Sequence, residues 1–393
     1  MSKKHRTLKS KYKMRLRIMA LLVLAYAIMF AASFHIPDAG TDIDTDIVTI
    51  RFAATGDNLI HSPVYNTFKT STGYDFTSLY ATMTPYIKDA DIACMNMETI
   101  CAGSAYGLST YPRFNGPTEV IDGVTSAGFN WLTMATNHTL DKGANALLSE
   151  IANLKTNYKD VTYTGVHDSA DDTKYRIITV NGVKIGLLNY TYGLNGFSAP
   201  AGMDYIVDLI DEDTIKTDMA ALNKVSDLQV VAMHWGQEYH TEPNDTQKQL
   251  AALLESLGAD MIIGNHPHVL QPVEILTGED NHRCLCICSL GNFVSAQDRA
   301  VTMLGGLATW TVYYDKVSGD FAFHETTITP LVTQIEKKWR SYTIIPLKDY
   351  TDENAANHVL QLYKNVDMSK KNLENLFTEA MGNAPPDGVI YNN

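Results

Sequence analysis

Six short apolar runs in this chain each end in polar residues of the types that bind metal ions or phosphate groups. In open α/β sheets, ligands bind beyond the carboxyl ends of the strands, so residues placed at strand ends gather in one crevice. The sequence therefore predicts a single site assembled from distant parts of the chain. The residues that end the runs are Asp57, Glu98, Asn137 with His138, His234, His266 with His268, and Asn292.

Carboxylates, an amide oxygen and imidazoles suit one or two divalent ions of the Mn, Fe or Zn class, and the absence of thiolate ligands disfavours a structural zinc site. A carboxylate can bridge two ions about 3.5–4 Å apart, and such pairs activate water. His138, next to Asn137, could approach the substrate instead of the metal, and would then serve as a general acid or stabilise developing charge. Each residue alone has a more common structural role, so the prediction depends on their ordered combination.

Three further residues are candidates for contact with a substrate or a ligand. Arg113 could hold a carboxylate or phosphate through a bidentate contact, and a surface or ion-paired arginine is the alternative. Tyr239 follows the His234 run and would line a pocket. Glu238 could orient a ligand histidine, or could simply be solvated.

The overall charge excludes one class of function. The net charge is -13, with 44 acidic and 31 basic residues, whereas nucleic-acid binding needs a basic face. Among the five cysteines, Cys284, Cys286 and Cys288 alternate along an apparent strand and cannot bridge to each other. We expect buried thiols and no disulfide framework.

The N-terminal segment predicts a membrane anchor. Residues 1–17 are a basic tail without acidic residues, and residues 18–34 are apolar and just long enough to span a bilayer as a helix. The positive tail should stay cytoplasmic, which would make the protein single-pass, with its main domain extracellular. The alternatives are a signal peptide cleaved near residues 31–33 and a buried core helix. Residues 35–47 are interpreted as a linker.

Short apolar runs alternate with helical patterns from residue 48 onward, which predicts an α/β fold with both sheet faces covered. Residues 305–347 indicate an antiparallel hairpin that turns at 316–319, followed by one more strand. Residues 351–382 suggest two helices with a break near Met368, and a loose tail after Gly382. The predicted strands lie near 48–55, 92–97, 130–135, 161–164, 176–180, 184–190, 228–233, 260–263 and 285–290, and the helices near 76–88, 117–127, 142–156, 212–224 and 244–257.

Six ordered motifs resemble the poly-γ-glutamate capsule synthesis family of the CapA/PgsA type, which is similar to the calcineurin-like metallophosphatases. The resemblance covers about residues 49–300 and implies a four-layer α/β/β/α sandwich over residues 48–350, with C-terminal helices and a tail over 351–393. The motifs are GD (56–57), NMET (96–99), ATNHTLDKG (135–143), HWGQEY (234–239), GADMIIGNHPHVLQPVE (258–274) and SLGNF (289–293).

The resemblance also implies individual roles. Asp57 would bind the first metal, Glu98 would stand where metallophosphatases have a bridging Asp, Asn137 and His234 would bind the second metal, and His266 and His268 would complete both. His138 would lie beside the substrate. Two departures are Glu98 itself and Leu59, which occupies a position where metallophosphatases usually have a histidine. His61 is the nearby candidate to replace that ligand, and the number of ions, one or two, stays open.

Three functions follow from these features. The first is a membrane-anchored factor in the synthesis or export of an anionic cell-surface polymer such as poly-γ-glutamate, working with other capsule synthesis proteins. The second is a metal-dependent hydrolase of phosphoesters or γ-glutamyl amides. The third is a non-catalytic binding module on the same fold, which the departures at Leu59 and Glu98 favour.

Overall fold

The computed structural model describes residues 46–278 and 281–392. Within these described residues, no helix combines the length and the apolar character needed to cross a membrane. The basic tail, the anchor at residues 18–34 and nearly all of the linker lie outside the described residues, so the anchor stays a prediction. The first strand begins at Ile47, the last residue assigned to the linker.

The strands follow the predicted alternation with helices. They are β1 (Ile47–Asn58), β2 (Ile92–Asn96), β3 (Trp131–Thr133), β4 (Thr162–Thr164), β5 (Arg176–Val180), β6 (Val183–Thr191), β7 (Leu228–His234), β8 (Met261–Asn265), β9 (Leu270–Thr277), β10 (Arg283–Leu290), β11 (Asn292–Val294), β12 (Leu304–Asp315), β13 (Phe321–Glu336), β14 (Ser341–Pro346) and β15 (Val389–Tyr391). The helices are α1 (Ser62–Thr67), α2 (Thr77–Tyr80), α3 (Thr84–Ile87), α4 (Glu119–Ala127), α5 (Ala144–Asn157), α6 (Glu212–Leu222), α7 (Asp245–Ser256), α8 (Asp352–Asn357), α9 (Val359–Lys364) and α10 (Lys370–Met381).

These strands form two sheets. The first has the order β14-β13-β12-β1-β2-β3-β4, with β11 added beside β1 and β15 beside β13. The second has the order β5-β6-β7-β8-β10-β9. In the first sheet β1 to β4 are parallel, and in the second β6, β7, β8 and β10 are parallel. Each sheet therefore presents several carboxyl strand ends along one edge.

The two sheets face each other across the main hydrophobic core. Trp310 on β12 donates a hydrogen bond from Nε1 to the sulfur of Met261 on β8, at 3.2 Å. Side chains alternate along β10: Leu285 and Ile287 join this core, whereas Cys286 packs in a second core with helices α6 and α7. The chain is thus a mixed α/β sandwich with two sheets. All five cysteines are free and buried, as predicted.

One strand that the sequence did not predict, one predicted helix and one predicted turn can be compared with the structure. Strand β9 was not predicted, because Pro272 weakens a strand pattern; the structure tolerates it because β9 is an edge strand. The helix predicted near 76–88 is divided into α2, a short 3-10 turn and α3, in which Pro85 occupies the first turn where proline is accepted. The hairpin turn at 316–319 is confirmed, since β12 ends at Asp315 and β13 begins at Phe321.

The C-terminal prediction was partly wrong. The break near Met368 is present, but a second break at His358 separates α8 from α9. The tail after Gly382 is not loose, because β15 pairs in parallel with β13 through Thr326 to Ile328. The tail resembled an irregular segment because three residues are too few to show a strand period.

His358 connects these C-terminal helices to the sheet. Its side chain is fully buried; Nε2 donates to the carbonyl oxygen of Thr333 at 3.1 Å, and Nδ1 accepts from the backbone N–H of Leu360 at 3.1 Å. This pattern requires the neutral ring. Burial accordingly lowers the pKa of His358 to about 4.

Acid should therefore weaken folding through His358. Between about pH 6.5 and pH 4 the unfolded chain binds a proton at this ring that the folded chain does not, so stability falls as pH drops. We expect this effect to lower the free energy of unfolding by about 2 kcal/mol between pH 7 and pH 5. His358→Asn keeps an acceptor at the helix N-cap without titrating. Urea unfolding at both pH values should show a smaller loss in this variant than in the native chain; equal losses would contradict the assignment.

Candidate metal centre

Register brings the predicted residues to adjacent strand ends. In the first sheet Asp57 lies beside Asn96, and Asn96 lies beside Thr133. In the second sheet His234 lies beside Asn265. Glu98, Asn137 and His266 follow these positions within a few residues. The placement of the ligands at strand ends thus follows from the parallel register of both sheets.

Glycine is required where the two edges meet. A Cβ atom on Gly56 would lie 1.8 Å from the carbonyl oxygen of Gly291. This close approach lets the backbone N–H of Asp57 donate to that same oxygen at 2.8 Å. Gly56 therefore fixes Asp57 at the junction of β1 with the end of β10.

The Asp57 carboxylate receives hydrogen bonds from three directions. Oδ1 accepts from Nδ2 of Asn96 at 2.8 Å and from the backbone N–H of His266 at 3.3 Å. Oδ2 lies 2.9 Å from Nδ1 of His268. Thr133 in turn donates to Oδ1 of Asn96 at 3.0 Å. Asp57 is thus held in one orientation, by residues from both sheets.

The Glu98 carboxylate, unlike that of Asp57, has no hydrogen bonds within the described part of the chain. Its side chain is fully buried, yet neither carboxylate oxygen has a hydrogen-bond partner. The nearest imidazole nitrogens are Nε2 of His268 at 3.6 Å and Nε2 of His234 at 3.9 Å from Oε1. Burying an uncompensated carboxylate is costly, so these oxygens fit the position of a cation.

The histidines converge from the end of β7 and from the loop after β8. His266 and His268 have left-handed backbones, with φ of 99° and 61°, which bring both rings into the site. His234 is fully buried, and its Nε2 lies 2.9 Å from Oδ1 of Asn137. Nδ1 of His266 is buried without a partner, a second atom that a cation would satisfy.

These side chains form two overlapping sets of potential ligands. Asp57, Glu98 and His268 offer atoms within 4.8 Å of one another, and so do Glu98, His234 and His266. Glu98 belongs to both sets. The donor set is that of divalent ions of the Mn, Fe or Zn class, and the shared carboxylate fits two such ions.

The charges of the site depend on one another. Burial raises the pKa of Glu98 well above its ordinary value and lowers the pKa of His266 to about 3. Burial also opposes charge on His268, but the carboxylates of Glu98 and Asp57 outweigh it and raise its pKa to about 9. The buried site thus favours a proton on Glu98 or on His268. Metal ions bind deprotonated ligands and would displace that proton.

His138 lies apart from the two ligand sets and is oriented by a carboxylate. Its Nδ1 is 2.7 Å from Oδ2 of Asp141, which also accepts from the backbone N–H of Phe114 at 2.6 Å. The Phe114 ring packs edge-on against the imidazole, with centroids 4.7 Å apart. With Nδ1 engaged, Nε2 is the nitrogen available to another molecule. Such a carboxylate–imidazole pair suits a general acid.

A cavity of about 300 Å³ opens beside His138. Arg113 is exposed in its wall, and its guanidinium lies 4.9 Å from the ring centroid of Phe197. Tyr239, 38% exposed, lies 5.9 Å from the His268 ring. Six of the residues that line the cavity are Arg113, Asn137, His138, Asn195, Phe197 and Glu238.

His61 is not brought into the ligand sets that the described residues form. Its Nδ1 accepts from the backbone N–H of Ala296 at 3.1 Å, and burial lowers its pKa to about 4. Its ring packs edge-on against Phe114, 5.0 Å away. Leu59 is only 2% exposed and belongs to the core. His61 thus serves as a packed acceptor that holds the loop after β11.

Sequence reasoning missed several residues of the site. Asn96 and Asp141 lie within motifs already noted, two residues before Glu98 and three after His138, so their spacing was an available signal. Tyr192, whose ring lies 4.5 Å from that of His266, directly follows the end of β6, so its strand-end position was also an available signal. Asn195 accepts from Nδ2 of Asn137 at 3.2 Å, and Arg299 lies 4.6 Å over the Tyr239 ring; both are on irregular loops.

The family described as bacterial capsule synthesis protein PGA_cap matches residues 51–297. The chain belongs to this family. It is 29% identical over 317 residues to the PGA biosynthesis protein CapA of Bacillus subtilis (strain 168), covering 78% of this chain and 77% of that protein. It is also 29% identical over 237 residues to the capsule biosynthesis protein CapA of Bacillus anthracis, covering 57% and 55%.

Solved structures with similar folds include nucleotidases. The NAD nucleotidase of Haemophilus influenzae is 12% identical, with a TM-score of 0.45, covering 85% of this chain and 60% of its own. A 5'-nucleotidase precursor from Thermus thermophilus is 13% identical, with a TM-score of 0.44, covering 84% and 59%. This PGA_cap family member therefore spans about 60% of those longer chains.

Metal loading tests the shared position of Glu98. The full-length protein should bind two Mn²⁺ per chain, and Glu98→Gln should lose at least one ion because both sets lose their common carboxylate. The drop in affinity should exceed the roughly 10–100-fold cost of altering residues that only orient ligands. Mass spectrometry of bound metal and titration calorimetry measure both quantities.

Glu150→Gln is a matched control. Glu150 is also buried, with one unpartnered oxygen, and burial raises its pKa to about 8, but it belongs to neither ligand set. Its substitution should leave Mn²⁺ binding unchanged. Native stoichiometry in Glu98→Gln would contradict the shared ligand.

Proposed function

We propose that this capsule synthesis protein acts in the synthesis or export of an anionic cell-surface polymer, such as poly-γ-glutamate, through a site that holds two divalent ions. One observation carries the metal site: the fully buried Glu98 carboxylate has no hydrogen-bond partner and belongs to both ligand sets. Family membership supports the capsule role. Partner proteins would be other members of the same synthesis machinery.

Two groups of residues would each bind one of the ions. Asp57, Glu98 and His268 would hold one ion, and Glu98, Asn137, His234 and His266 the other. When bound, such ions polarise a substrate oxygen and lower the pKa of water. Asn96 and Thr133 keep Asp57 oriented through the hydrogen bonds described above.

The rim of the site suits an anionic substrate. Arg113 and Arg299 are exposed and form no ion pair with a carboxylate in the described part of the chain. Each guanidinium rests on an aromatic ring, Phe197 or Tyr239, which holds its planar donors ready for a carboxylate or phosphate. A polymer with repeated carboxylates could contact both.

Hydrolysis is a second candidate function, favoured by the bond between His138 and Asp141. For a γ-glutamyl amide, the oxygen of water would bond to the carbonyl carbon and the C–N bond would break. His138 would give a proton to the departing nitrogen, and the proton lost by the water would restore the imidazole. The products are a carboxylate and an amine.

Turnover can be measured on Mn²⁺-loaded full-length protein with poly-γ-glutamate and with bis(p-nitrophenyl) phosphate. His138→Ala should reduce kcat by about 10²–10⁴-fold, since general acid catalysis is worth that much. His324→Ala removes an exposed histidine that belongs to neither ligand set and should match the native rate. Chain length and released nitrophenol are the readouts.

Arg113→Ala separates recognition from chemistry in the same assay. It should raise KM for the polymer with little change in kcat, because the guanidinium contacts the substrate away from the reacting bond. A metal-loaded protein that turns over neither substrate would rule out hydrolysis of these bonds and favour the binding role in polymer export.

We further propose that residues 18–34 anchor the protein in the cell membrane, with the N-terminus cytoplasmic and the main domain extracellular. The basic residues of 1–17 and the apolar run that follows support this orientation. Protease added to cells whose wall has been removed should digest the main domain, and the intact protein should sediment with membranes. A soluble mature protein that begins after about residue 34 would contradict the anchor.

A further inference from the structure

The loop after β7 is held tightly beside the two loop histidines. The backbone N–H of Tyr239 donates to the carbonyl oxygen of Pro267 at 2.7 Å, and Pro267 lies between His266 and His268. At the other end, the N–H of Trp235 donates to the carbonyl oxygen of Asn265 at 3.1 Å. Residues 236–238 are therefore positioned relative to the histidines from both sides.

Two unusual backbone conformations give this loop its shape. Gly236 has φ of 90° and Tyr239 has φ of 66°. A Cβ atom on Gly236 would lie 2.6 Å from Oε1 of Gln247, so a larger residue would displace the Gln247 side chain. The conformation between these two residues brings Glu238 over the metal ligands.

The Glu238 carboxylate faces the histidines rather than a basic partner. It forms a third potential ligand set with His266 and His268, with atoms within 4.8 Å of one another. No lysine or arginine of the described residues lies within ion-pair distance of it. Its side chain is exposed, unlike those of the other candidate ligands, so it approaches from the solvent side.

The number of candidate ligands around each ion indicates what the Glu238 carboxylate could add to the site. An ion near Asn137 would have four candidate ligands, whereas an ion near Asp57 would have only Asp57, Glu98 and His268. The positive charge of two divalent ions would also exceed the negative charge of the Asp57 and Glu98 carboxylates together. Carboxylate oxygens suit Mn²⁺ in particular.

We propose that Glu238 is a further metal ligand, which completes the coordination of the centre from its solvent side; this inference rests on the metal site of the proposed function. The same carboxylate lines the cavity with Arg113 and His138. An anionic substrate entering that cavity meets Glu238 before it meets the buried ligands. Glu238 thus lies between the candidate metal ligands and the part of the cavity wall that contains Arg113.

Mn²⁺ binding to the full-length protein tests this assignment. Glu238→Gln should weaken the more loosely held ion at least about tenfold, by analogy with other changes around metal ligands. Glu238→Asp should keep part of the affinity. Glu242→Gln removes an exposed carboxylate from the same loop region and should bind Mn²⁺ like the native chain. Titration calorimetry gives the affinities, and the rise in Tm on adding Mn²⁺ provides a second readout.

The outcomes separate this inference from the proposed function. If the native chain binds two Mn²⁺ and Glu238→Gln binds them with unchanged affinity, the role of Glu238 is overturned and the metal site stands. If the native chain binds no Mn²⁺, both are overturned. Equal losses in Glu238→Gln and Glu242→Gln would indicate a general effect of surface charge and would also overturn the assignment.

Discussion

The burial of Glu98 is the constraint around which the site is organised. A carboxylate removed from water without a donor costs several kcal/mol unless a cation compensates it. The neighbouring imidazoles of His268 and His234 lie 3.6 and 3.9 Å from Oε1, beyond hydrogen-bonding distance, so neither donates a hydrogen bond to Glu98. Asp57, by contrast, is bonded on both oxygens. Where the two sheets meet, the fold therefore places one carboxylate that is held by hydrogen bonds, Asp57, and one that has no hydrogen-bond partner among the described residues, Glu98.

Close backbone contact makes that meeting point rigid. Gly56 lies against Gly291, and Gly305 lies against Asn292, where a Cβ atom would come within 1.9 Å of the carbonyl oxygen. Strand β11 follows β10 directly and pairs with β1, so the chain passes from one sheet to the other beside Asp57. The left-handed His266 and His268 each add strain of about 1–3 kcal/mol. The extensive apolar core on either side of the junction can support that cost.

Much of this arrangement follows from the sequence because it depends on periodic elements. The apolar runs located β1, β7 and β8 to within a few residues, and parallel register then placed Asp57 and His234 without further information. The sequence could not place residues whose positions depend on loop conformation. Asn195 reaches the site from an irregular segment, and His61 is near in sequence but is held by Ala296. Pro272 concealed β9 because the local pattern does not reveal that this strand lies at the edge of its sheet, where proline is tolerated.

Apart from Glu238, the candidate metal ligands are buried, whereas the residues that a substrate would contact first are exposed. The candidate ligands Asp57, Glu98 and His234 are fully buried, and their geometry is set by the strands that also build the core. Arg113 and Tyr239 are exposed and lie on loops, where substitutions disturb little packing. Metal binding at the candidate site would therefore depend on the stability of the fold, whereas recognition of a substrate by the exposed loops would not.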